Sequence, residues 1–255
     1  MNLILGQDML LWQALLIILI IFVAHLLGGI SAFGSALLSL PLILLVKPDL
    51  DWAVFILVSI GLIQSIQIFY YSHKDFDKKQ FTRIAIYMSI GLIIGFAGLV
   101  FLSKLVVMIC LSLILFAAGT FALCKPEGLL KMPNPIKIIL LLLSGMAHGA
   151  FGCGGAALTV YAKSVFETKE AFRATLSFVW IWSNLITIPI FYFRIAGKET
   201  DHRFGLIIIC TVVVILASIL SQVLSKKLKQ KQFFKFTSVL LILCGVVNTI
   251  NLLRG

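Results

Sequence analysis

Ten apolar segments fill the chain, at 9–27, 31–46, 52–71, 84–102, 105–123, 137–148, 155–166, 172–193, 204–224 and 233–252. Only short loops separate them, and those loops hold nearly all of the charge. A soluble domain of 255 residues, 61% hydrophobic and 12% charged, could not cover its own surface with polar groups. In lipid the same pattern is stable, because each helix satisfies its own backbone and roughly 20 apolar residues reach across. The expected fold is all-α, a polytopic transmembrane bundle with no soluble domain.

Three of the segments, 31–46, 137–148 and 155–166, are short for a full crossing and flank glycine clusters. The stronger cluster is Gly149-Ala150-Phe151-Gly152-Cys153-Gly154-Gly155, and a weaker echo lies at Gly28-Gly29-Ile30-Ser31-Ala32-Phe33-Gly34-Ser35. Glycine disfavours a helix by about 1 kcal/mol relative to alanine, so these clusters predict helix breaks. The short segments then read as half-helices or re-entrant arms. Gly28-Gly29-x4-Gly34-Ser35-Ala36 precedes His148-Gly149-x4-Gly154-Gly155-Ala156 by 120 positions, and Ile66–Tyr71 precedes Ile188–Phe193 by 122. Two matches in order at nearly one offset indicate an internal repeat. The division predicted is a first transmembrane repeat at 1–124, a cytoplasmic linker at 125–135 and a second repeat at 136–255. Five segments per half require the repeats to be inverted in the membrane.

The net charge of +11 suggests orientation in a membrane rather than nucleic acid, because the basic residues sit in alternating loops. Of the 21 Lys and Arg, fifteen fall in Ser72–Arg83, Lys125–Lys137, Lys163–Arg173 and Ser225–Lys235. That set is assigned to the cytoplasm, which places both termini outside a cell (plasma or inner) membrane. Residues 9–27 read as a retained helix, since no lysine or arginine precedes Leu10 and no cleavage site follows. Five cysteines lie within or at the ends of apolar segments without a C-x-x-C spacing. They read as small buried hydrophobes, and neither a metal site nor a cofactor is expected.

All ten acids fall in loops or at segment ends. A cation carrier usually places a carboxylate at the bilayer midplane, so this pattern argues against metal-cation transport. It leaves room for an anion held by helix N-termini, amides and hydroxyls. The helix that follows a break offers unpaired N–H groups and about half a positive charge. Candidate binding residues are therefore Gly34, Ser35, Gly152, Gly154 and Gly155. The competing reading is close helix packing by small residues; recurrence of the breaks in both halves favours binding. Gln64 and Asn184 share the 120-residue offset and could donate to an anion, or could bond across helices. His25 and His148 flank the breaks as candidate proton-relay residues, with a neutral, interhelically bonded histidine as the alternative. Trp180 and Trp182 could wall a cavity beside Asn184 or face lipid. No nucleophile motif accompanies the serines and histidines, so an intramembrane enzyme is not expected.

With Gly145-x3-Gly149-x-Phe151-Gly152-x-Gly154-Gly155, Ala174-x2-Ser177-x6-Asn184 and the opening Gly28-Gly29-x3-Phe33-Gly34-x6-Pro41, the chain resembles the TauE/SafE sulfite-exporter family. The resemblance covers almost the whole length. It implies a membrane permease for sulfite, sulfonates or related small organosulfur or carboxylate anions. It departs from the family at Ser35 and Ala36, where more glycines usually follow, so the first half-site is expected to be narrower or to use the Ser35 hydroxyl. The function expected is secondary transport by alternating access, with proton coupling through a histidine as an option. The alternatives are a passive anion channel on the same architecture and a carrier of small carboxylates. Oligomeric state and direction are not legible.

Overall fold

A computed structural model describes residues 9–32, 34–101, 132–196 and 204–229, with scattered positions between 109 and 120 and between 231 and 250. Regular structure in the described residues is helical throughout. Its elements are α1 (Leu11–Ser31), α2 (Ala36–Val46), α3 (Leu50–Ser72), a 3-10 turn (His73–Asp75), α4 (Lys78–Phe101), α5 (Asn134–Phe151), α6 (Gly155–Ala162), α7 (Lys169–Ile195) and α8 (Phe204–Lys227). Six of these, α1, α3, α4, α5, α7 and α8, are long and apolar enough to cross a membrane. The expected segments 105–123 and 233–252 lie largely outside the described residues.

Local chemistry sets the helix ends. Asp49 caps α3 by accepting from the Trp52 N–H at 3.1 Å, and Thr168 caps α7 by accepting from the Ala171 N–H at 3.2 Å. One expectation is corrected here. Segment 137–148 is not a half-helix, because α5 starts at Asn134, where Pro135 suits the first turn, and runs 18 residues to Phe151. It passes through Gly145 and Gly149 because both press on α4. A Cβ on Gly145 or Gly149 would meet the backbone of Met88 or Leu92, and one on Gly91 or Gly95 that of Leu142 or Met146. Close backbone contact of this kind offsets the helix penalty of glycine between membrane helices. The packing reading thus holds for part of the glycine cluster.

The main helix contacts are α4 on α5, α3 on α7 and α1 on α8, with α3 also touching α8 and α4 touching α7. The 120-residue relation pairs α1 with α5, α3 with α7 and α4 with α8. Applied to the contacts, it exchanges α1–α8 with α5–α4 and α3–α8 with α7–α4. Helices α3 and α7 run antiparallel. Asp51 at the start of α3 accepts from Arg194 Nε near the end of α7 at 2.8 Å, whereas the Asp77 N–H, past the end of α3, donates to Thr175 Oγ1 in α7 at 3.1 Å. Trp52, Ile56 and Ile60 of α3 and Phe191 of α7 are buried in one apolar cluster. Outward apolar side chains, such as Leu15 and Leu19 of α1 and Ile208, Val212 and Leu216 of α8, are exposed, as a lipid-facing surface requires.

Candidate functional site

Helices α1 and α5 end in the same way. Helix α1 stops where Ala32 turns left-handed (φ 55°, ψ 15°), its N–H returning to the Gly28 carbonyl at 2.7 Å. Helix α5 stops where Gly152 does the same (φ 65°, ψ 16°), its N–H returning to the His148 carbonyl at 2.7 Å. Glycine takes this conformation freely, but at Ala32 it costs about 1–2 kcal/mol. Helix α2 then begins after Ser35 and α6 after Gly154. Each break therefore brings the C-terminal end of one helix against the N-terminal end of the next.

Between the breaks lies one cavity. Gly34, Ser35, Gln64, Gly152, Gly154, Gly155 and Asn184 all line it, together with His148 and Trp180. Its volume is about 40 Å³, where one water needs roughly 10–15 Å³ on the same scale. A few waters or one small oxyanion would fill it. None of the lining residues is acidic or carries a permanent charge.

The donors that remain for a ligand are few. Asn184 is 5% exposed and its amide has no hydrogen-bonding partner among the described residues. Gln64 donates from Nε2 to the His25 carbonyl at 2.6 Å, which leaves its second N–H. The Ser65 and Ser177 hydroxyls donate into their own helices, to Gly61 at 2.7 Å and to Ala174 at 2.9 Å, so toward the cavity they can only accept. The first-turn N–H groups of α2 and α6 complete the set, since a helix cannot satisfy them itself. His148 is buried with neither ring nitrogen bonded among the described residues, and its ring leans on Trp180 at a centroid distance of 5.5 Å. His25 does not line the cavity; its Nδ1 bonds the Ile21 carbonyl at 2.9 Å.

A family model described as sulfite exporter TauE/SafE matches residues 17–247, nearly the whole chain. The chain belongs to the TauE/SafE family. No curated protein and no solved structure matches it. As a TauE/SafE protein it is a multi-pass membrane transporter and not an enzyme.

In this TauE/SafE chain the charge pattern of the sequence did not reveal the part that Arg173 plays beside the cavity. Arg173, counted above with a basic loop, lies in α7 and is 5% exposed. Its Nη1 donates to the Gly29 carbonyl at 2.8 Å and to the Ile30 carbonyl, and its Nη2 donates to Gln222 Oε1 of α8 at 2.6 Å. Trp180 Nε1 donates to the Ala32 carbonyl at 3.1 Å. The end of α1, left-handed turn included, is thus held by α7. The signal was present in the sequence, since Arg173, Ser177, Trp180 and Asn184 fall at i, i+4, i+7 and i+11, one face of a helix. Trp182 is on the other side, exposed, donating to Ser89 Oγ at 3.2 Å. Lys163, assigned to the same basic loop, is buried just after α6. Of the cysteines, Cys153 lines the cavity and Cys210 is buried, while Cys110, Cys124 and Cys244 are outside the described residues.

Proposed function

We propose that the chain carries a small oxyanion or sulfonate, sulfite being the simplest case, across a cell membrane through the cavity between the two breaks. One observation carries this reading: residues picked from both halves of the sequence converge on a single uncharged cavity where two helix N-termini meet and a buried amide is left unpaired. Hydrogen-bond donors without fixed charge suit an anion that must also leave.

The repeats at 1–124 and 136–255 are inverted, with both termini extracytoplasmic. The reciprocal helix contacts and the antiparallel α3–α7 pair support this, because parallel repeats would set equivalent helices side by side in one direction. Access alternates as one repeat rocks against the other around the fixed site. His148 rather than His25 is the histidine positioned to respond to a bound anion.

The test is sulfite and sulfonate flux in proteoliposomes holding the purified full chain, with and without a pH gradient. Saturable flux competed by related anions supports a carrier, and dependence on the gradient supports proton coupling. Flux that never saturates and shows no counter-transport favours the channel. No flux with folded, inserted protein overturns sulfite and sulfonate as substrates and redirects the search to carboxylates.

A further inference from the structure

A helix break is not by itself an anion site. The N-terminus of the second helix contributes about half a positive charge, but the C-terminus of the first brings about half a negative charge to the same place. A ligand between them feels little net attraction unless the negative end is neutralised. At the first break the structure provides the means. Arg173 spans the Gly29 and Ile30 carbonyls at the end of α1, while Gly28 and Ala32 of the same turn face the cavity.

Glu170, one turn earlier on α7, attracts this guanidinium through space without touching it. No carboxylate among the described residues lies within ion-pair distance of it, and its third partner, Gln222 Oε1, is neutral. A buried cation with no counter-ion in contact is costly to maintain, because several kcal/mol of hydration are lost. Two carbonyls, one amide oxygen and the negative end of α1 compensate it only partly. The remainder is positive potential directed through one turn of helix at the cavity. At the second break the basic residue in the last turn of α5 is His148.

We propose that Arg173 gives the cavity its selectivity for anions, cancelling the negative end of α1 and supplying net positive potential without touching the ligand. This rests on the anion-carrier reading above. Arg173 is on this account a positioning and electrostatic residue.

The decisive variant is Gln222→Glu. It keeps the shape of the side chain and its bond to Arg173 at 2.6 Å while setting a negative charge against the guanidinium. A purely structural Arg173 would tolerate or welcome that salt bridge. The electrostatic role requires the site to weaken. Sulfite influx into proteoliposomes, normalised to folded protein, should show KM raised by about tenfold or more in Gln222→Glu, with Vmax within about threefold of wild type. Arg173→Gln should raise KM similarly. Arg173→Lys, which keeps the charge but loses the planar fork, should fall between wild type and Arg173→Gln. A folded Gln222→Glu protein with KM within about twofold of wild type overturns the proposal. Should Arg173→Gln fail to fold, Gln222→Glu still decides, since it removes no bond. A wild type without saturable sulfite flux would instead refute the carrier reading, and this inference with it.

Discussion

Asn184→Asp is the sharpest test of the cavity, because it changes charge and almost nothing else. The carboxylate has the shape of the carboxamide, so packing over Gly61, whose added Cβ would lie 3.5 Å from Asn184 Nδ2, is kept. For an anion bound against Asn184 in this cavity of about 40 Å³, the charge centre would sit roughly 5 Å from the new carboxylate. With an effective dielectric constant of about 20, two like charges at that distance repel by roughly 3 kcal/mol, or about 200-fold in affinity. Asn184→Ala removes only a hydrogen bond to a charged group, about 1.5–3 kcal/mol, and should cost about 10- to 150-fold. The assay is the concentration dependence of sulfite influx for both variants, normalised to monodisperse protein recovered from the liposomes. Asp should be at least as impaired as Ala. A KM for Asn184→Asp within about threefold of wild type would refute the placement of the anion against this helix face.

Gly152→Ala puts a Cβ on a residue at φ 65°, 2.9 Å from Val58 Cγ1; the left-handed turn alone should remove about 1–2 kcal/mol, read as a fall of several degrees in the thermal unfolding midpoint in detergent. Trp180→Phe keeps the cavity wall but loses the bond to the Ala32 carbonyl, so about 1 kcal/mol of stability should go while KM moves less than about threefold. Arg194→Ala breaks the half-exposed pair with Asp51; the same melt should shift by no more than about 1 kcal/mol would cause, with flux unchanged.

Much of this was legible because lipid narrows the choices. Apolar runs must be helices, so the segment map located the bundle, and glycine clusters located both breaks. The shared offset picked out Gln64 and Asn184, and both line the cavity. Other parts were hidden for physical reasons. Gly145 and Gly149 look like Gly152 and Gly154 in sequence, yet the first two fit α4 into α5 and the latter pair shapes the break. Only a neighbouring backbone distinguishes them. Arg173 was hidden because a lone arginine near a segment end usually marks a membrane surface, and its acceptors are carbonyls more than 140 residues away in sequence. His25 and His148 look equivalent from spacing, but only the second reaches the cavity.

The exchange of partners between the halves bears on how the molecule is made. Helix α8 begins more than 170 residues after α1 ends, yet it is the helix on which α1 packs. Insertion alone therefore leaves α1 waiting in the bilayer, its partner still unsynthesised. Lipid permits the wait, since acyl chains are as apolar as the helix that later replaces them. Maturation is then a late, concerted closing of contacts rather than a stepwise addition of finished pieces. The helices of the two halves interlock, so no cut between them would leave α1 with its main partner.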